Sequence, residues 1–219
     1  MRTYFRYIVY LIVAIGVSVA NAGSYEDFFA AIKRDDAWVV QGLLSKGFDA
    51  DTPGPDGQTG LMLAIREPAP KAAAVLIDWP RTRIELRNKA DESPLMIAAL
   101  KGHVDLARRL IARDADVNKP GWTPLHYAAT GGHVEMMDLL LEHHAFIDAQ
   151  SPNKTTPLMM AAMYGSAQAV KFLLQAGADV NMKNQLGMTA VDFALRADRK
   201  EAAELIAEQS RRQRSGGRW

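Results

Sequence analysis

One phrase recurs along this chain at a nearly fixed step, and that recurrence limits the fold to a stack of like units. "TGLMLAI" begins at Thr59, "SPLMIAALKGH" at Ser93, "TPLHYAATGGH" at Thr123, "TPLMMAAMYGS" at Thr156 and "TAVDFAL" at Thr189. The steps are 34, 30, 33 and 33 residues. A second phrase follows in phase: "LLSKGFDAD" at Leu43, "LIARDADVN" at Leu110, "LLEHHAFID" at Leu140 and "LLQAGADVN" at Leu173. Self-similarity at a period of thirty-odd residues marks a repeat array, in which each unit buries its apolar side only against its neighbours.

Each residue type in the phrase has a local reason. Thr123 suits a helix N-cap and Pro124 the first helical turn, where no N–H is missed. Leu125, Ala128 and Ala129 form a buried face, with alanines small enough for close helix approach. Gly132 ends that helix, and "VEMMDLLLEHH" supplies a second one. Its Val134, Met137, Leu140 and Leu141 recur at helical spacing. A left-handed stop must follow. Gly47 and Gly177 suit it, while Asp114 and His144 hold that place in two other units.

With these residues in view, the chain resembles the ankyrin-repeat family. The best matches to its pattern are Gly121 to His133 and Gly177 to Asn181, and the resemblance runs from about Tyr25 to Gln209. It implies an all-α solenoid of about six helix-turn-helix units with short projecting loops. Their expected limits are 25–56, 57–90, 91–120, 121–153, 154–186 and 187–209, within a domain of residues 23–209. The first and last read as caps with polar outer faces. The third unit is three residues short, because only Lys119 and Pro120 separate Asn118 from Gly121. In the second, Pro68 and Pro70 predict a rigid link between its helices.

Residues 1–22 read differently. Arg2 and Arg6 precede an apolar run, Tyr7 to Val19, and then Ala20-Asn21-Ala22. That is the pattern of a secretory signal peptide, with cleavage expected between Ala22 and Gly23. The run is 13 residues, short of the roughly 20 that a membrane span needs. A retained first helix acting as a membrane tether is the alternative. Cleavage leaves 24 basic and 25 acidic residues. Residues 210–219 carry Arg211, Arg212, Arg214 and Arg218 and read as a basic flexible tail, so the body to Gln209 has net charge −5. An acidic body with no basic stripe argues against nucleic-acid binding. The chain has no cysteine, which excludes disulfides, thiolate metal sites and a cysteine nucleophile.

The repeat accounts for most candidate chemistry. His126 stands in the Thr-Pro-Leu-His phrase, and His103 and His133 follow the helix-ending glycine; the resemblance implies structural roles for all three. His143 and His144 are adjacent on a helix and point about 100° apart, so they do not converge on one metal ion. They are nevertheless the residues on which a metal-dependent accessory factor or enzyme would have to rely. Asp116, Asp148 and Asp179 belong to a turn in which Asp bonds local N–H groups. Met62, Met96 and Met159 replace the His of the phrase and are expected to pack the core. No nucleophile elbow, phosphate loop or dinucleotide fingerprint is present. No catalytic residue, metal or cofactor is therefore expected.

The resemblance implies partner contact through the residue before the Thr and the two residues after the paired Ala. Here those include Glu92, Trp122, Thr155, Met188, Leu100, Lys101, Met163, Tyr164 and Arg196. Trp122, Tyr164 and Met188 are expected to form one apolar patch, since aromatic residues and Met favour interface cores. The expectation is a monomeric protein that binds a protein partner. Its place is expected to be the cell envelope, in the periplasm of a bacterium or secreted, with no stable membrane insertion after signal cleavage.

Overall fold

The computed structural model describes residues 23–216; the expected signal peptide, Ala22 on one side of its cleavage site, and Trp219 lie outside them. The chain divides into two compact units, Met1–Arg83 and Ile84–Trp219. In the first, α1 spans residues 23–33, α2 Ala37–Ser45, α3 Gly60–Arg66 and α4 Pro70–Asp78. In the second, the order is α5 Pro94–Lys101, α6 Val104–Ile111, α7 Pro124–Gly131, α8 Val134–Glu142, α9 Pro157–Met163, α10 Ala167–Gln175, α11 Ala190–Arg196 and α12 Lys200–Gly216. Among the described residues the only extended pairing is an isolated bridge between Pro53 and Thr59.

The helices start where the sequence says they should. The side-chain oxygens of Thr59, Ser93, Thr123 and Thr156 accept the N–H three residues on. The third residue then answers from its side chain. His126 Nδ1 accepts the Thr123 N–H at 3.2 Å, and the sulfurs of Met96 and Met159 accept those of Ser93 and Thr156 at 3.4 Å. These methionines are buried as expected, and their thioethers also complete a cap. At Thr189 the hydroxyl and the N–H both donate to Asp192 Oδ2 at 2.7 Å.

The second helices end in left-handed backbone as anticipated: φ is +96° at Gly47, +99° at Gly177, +63° at Asp114 and +64° at His144. In α8 the buried residues are Met136, Met137, Leu139 and Leu140, while Val134 and Leu141 are half-buried. The stripe is wider and rotated from the expected one because α8 packs against α7 on one side and α6 and α10 on the others.

Within Ile84–Trp219 the first helices α5, α7, α9 and α11 pack in series, as do the second helices α6, α8, α10 and α12. Paired alanines, Ala98-Ala99, Ala128-Ala129 and Ala161-Ala162, are wholly buried at the seam. Gly165 shows how close the approach is: a Cβ there would lie 2.4 Å from the Ala129 carbonyl oxygen. In α11 the residue matching Ala99, Ala129 and Ala162 is Leu195, which is 63% exposed. No further first helix follows it among the described residues.

The loops after the second helices are joined by a ladder. In the second unit Glu85 accepts the Asp116 N–H (3.1 Å), Asn118 that of Phe146 (2.8 Å) and Asp148 that of Asp179 (3.1 Å). In the first unit Asp51 accepts the Arg83 N–H at 3.1 Å in the same register. Burial raises the Glu85 and Asp148 carboxyls, against the lowering effect of these bonds. Asp148 thus fills the place of Asn118 and Asn181, not that of Asp116 and Asp179, and Phe146 stands where an Asp was expected.

Two departures have physical causes. The shortened third loop buries Lys119, whose ammonium pairs with Asp91. The expected flexible tail does not begin at Ser210, because α12 continues to Gly216. An Arg212–Glu208 pair at i,i+4 and a 3.4 Å bond from Asn181 Nδ2 to Gln213 support the extension.

Candidate functional site

The expected contact residues fall into two rows on the first-helix side of Ile84–Trp219, separated by the length of a helix. One row precedes the helices: Glu92, Trp122, Thr155 and Met188. The other closes them: Leu100, Lys101, Met163 and Arg196 in the last turns, and Tyr164 at the C-cap of α9. A helix of seven residues is roughly 10 Å long. Trp122 precedes α7 and Tyr164 ends α9, so the two rings of the expected patch start from opposite ends of adjacent first helices.

Thr155 is a correction. It is 2% exposed, its N–H bonds Ser151 Oγ at 3.0 Å, and its carbonyl accepts His126 Nε2–H at 2.9 Å. The buried histidine draws this loop inward, so Thr155 is scaffold. Trp122 is half-buried with its ring edge-on to His126, centroids 5.2 Å apart, and shields that imidazole. Burial holds the His126 pKa down to about 4, so the ring is neutral. Met188 is half-buried. Glu92 is half-buried and engaged, accepting from Asn88 Nδ2 at 2.6 Å and from the Tyr127 hydroxyl at 3.3 Å.

The C-terminal row is the open one. Tyr164 is 53% exposed beside a half-buried Met163, and Lys101 and Arg196 are exposed. Tyr164 is held from behind. The Arg199 guanidinium donates to the Tyr164 carbonyl at 3.1 Å and also to that of Gly165. His133 makes a similar bond two units earlier, from Nε2 to the Leu100 carbonyl at 3.0 Å. Leu100 is half-buried over that contact.

Between the rows lie two half-buried side chains missing from the expected set, Tyr127 and Met160. They sit four residues after the cap. The signal that could have found them is helical phase: a position one turn before an exposed one shares its side.

Elsewhere, Phe146 is 66% exposed beside Leu141, Ile147 and Phe172. The first unit has its own apolar cleft of about 480 Å³, lined by Tyr25, Phe29, Pro55 and Leu63. His143 and His144 are exposed, and among the described residues no group of three or more His, Asp or Glu could hold a metal ion. No described helix is long and apolar enough to cross a membrane.

Comparison with known proteins agrees with this architecture. The family profile described as "Ankyrin repeats (3 copies)" matches residues 28–119, 75–151 and 146–214. The Neurogenic locus notch homolog protein 1 of Mus musculus is 32% identical over 175 residues, covering 72% of this chain and 7% of that protein. The Xenopus tropicalis counterpart is 29% identical over 180 residues, 74% of this chain and 7% of its own length. The chain therefore spans a small part of these relatives. Among solved structures, an ankyrin repeat domain from Acinetobacter baumannii AYE superposes with a TM-score of 0.70 at 27% identity, covering 84% of this chain and 97% of that one.

Proposed function

The chain belongs to the ankyrin-repeat family, whose repeats are general protein–protein interaction modules, and from that we propose an exported, non-catalytic binding protein that takes its partner on the first-helix side of Ile84–Trp219. The observation that carries the reading is Tyr164. It is an exposed aromatic beside Met163 on a backbone fixed by Arg199. An exposed aromatic anchor on rigid backbone binds at low entropic cost. The charged and apolar pattern of residues 1–22 supports export, with the periplasm as its destination.

A photo-crosslinking side chain placed at Tyr164 should trap one protein in the producing cell, whereas the same group at Glu135 on α8 should not. Equal labelling at both positions would remove this site. Sequencing the mature N-terminus tests export, and a chain still beginning at Met1 would contradict it.

A further inference from the structure

We propose that the partner of this surface is an acidic protein segment with an apolar centre; the proposal rests on the binding side assigned above. The body of the chain is acidic, but its charge is not evenly placed. In Ile84–Trp219, the first helices and the six residues before each of their caps carry, besides Arg87 paired with Asp91, five exposed cations: Lys89, Lys101, Lys154, Lys183 and Arg196. No ion pair to any of the five occurs among the described residues. Only three acidic residues lie in these stretches, and each is already engaged; Glu85, Asp114, Asp116, Asp148 and Asp179 stand further back in the loops, nearer the second helices. Asp91 holds Lys119 and Arg87, Glu92 holds Asn88 and Tyr127, and Asp192 caps α11 through Thr189. The acidic residues of the second helices, such as Glu135, Asp138 and Glu142 on α8, lie on the other side.

The sequence read linearly shows no basic stripe, because the cations come one or two per unit. Stacking α5, α7, α9 and α11 brings them together. Lys101 and Arg196 stand at the two ends of the C-terminal row, with Met163 and Tyr164 between them. Three helix-packing steps of about 10 Å each separate the ends. An extended segment of about nine residues covers that span. Charge complementarity then calls for carboxylates near its ends, and Met163 and Tyr164 call for an apolar side chain between. Both cations lie in the last turn of a helix, where they also favour the helix dipole. That role needs no partner and is what the experiment must separate. Phosphate chains fit less well, since the row interleaves its charges with Leu100, Met163 and Tyr164.

The test is selection of random 16-residue peptides displayed on phage against the purified protein, followed by titration of the best peptide. Selected peptides should carry Asp or Glu on both sides of an aromatic or aliphatic residue. Lys101→Glu with Arg196→Glu should weaken the best peptide at least tenfold, and reselection on that variant should turn to Lys and Arg. Lys171→Glu on α10 should leave affinity unchanged. If the paired reversal lowers the melting midpoint, Lys101→Gln with Arg196→Gln, which removes the two charges without reversing them, serves as the second pair and should still weaken the best peptide. Peptides that need Tyr164 but show no acidic bias would overturn this inference and leave the binding side standing. Failure to select any peptide that needs this side would overturn both. A single-stranded oligonucleotide or a phosphatidylglycerol vesicle that binds more tightly than the best peptide, and is lost on the same reversals, would overturn the choice of a protein segment.

Discussion

His126 Nε2 donates to the carbonyl of Thr155 at 2.9 Å, fixing the start of one unit to the loop that opens the next. The same ring accepts the Thr123 N–H through Nδ1, so both nitrogens are occupied only when the imidazole is neutral. Its pKa is pushed down to about 4, from 6.5, chiefly by burial. Between those values the unfolded chain takes up a proton that the native chain refuses. Stability is therefore full above pH 6.5 and falls as pH drops toward 4, by roughly 3 kcal/mol for a shift of this size. Urea midpoints measured from pH 7 to pH 4 should show that fall. His126→Met, which copies the side chain of Met96 and Met159, should remove most of it. An unchanged slope in that variant would mean the acid sensitivity lies elsewhere.

Gly165→Ala should destabilise strongly. The added Cβ would meet the Ala129 oxygen at 2.4 Å and the Ala161 Cα at 2.9 Å, both backbone atoms that cannot step aside. A loss of about 1–3 kcal/mol is expected from overpacking of this kind. Thermal unfolding of the variant measures it, and a neutral result would show that the α7–α9 seam can open without cost.

Leu140→Ala tests the core of the same region. Leu140 is fully buried in α8, and truncating such a residue typically costs about 2–5 kcal/mol. A loss below about 1 kcal/mol in denaturant titration would contradict the packing of α8.

Asn118→Ala removes two bonds at once, to the His144 carbonyl at 2.7 Å and from the Phe146 N–H at 2.8 Å. The site is exposed, so water replaces part of what is lost. The expected cost is about 1–2 kcal/mol. Amide exchange should quicken first at Phe146, and unchanged protection there would show that the side chain does not hold the loop.

Deleting Arg211 to Trp219 should change stability by less than about 1 kcal/mol, because the pairs of Arg212 with Glu208 and Gln213 with Asn181 are exposed. A large fall in the melting midpoint would make the end of α12 part of the cap.

The repeats, the caps and the left-handed stops at Gly47, Asp114, His144 and Gly177 were legible in the sequence because each depends on neighbours within a few residues. The contact surface was legible only as a set of positions. Thr155 departs from its expected exposure because its burial is set by His126, 29 residues earlier. The sequence shows that Trp122 and Tyr164 stand at opposite ends of their helices, but not that Trp122 is half-buried against His126 while Tyr164 stays exposed. The extension of α12 was hidden by composition, since its Arg-rich end looks like a solvated tail until the Arg212–Glu208 spacing is placed on a helix. The cations were hidden for the opposite reason: they are distant in sequence and share one side only after stacking.

The loop ladder has a consequence for how such a chain can change over generations. Its acceptors differ, Asp51, Glu85, Asn118 and Asp148, but a main-chain N–H donates in each joint, with the Arg83 side chain added only at Asp51. Any residue except proline offers that group. The donor's side chain is thus released from selection by the joint itself, and Arg83, Asp116, Phe146 and Asp179 all serve. A duplicated unit arrives with a working joint already in its backbone, and its outward side chain, as at Phe146, is free to acquire a use of its own.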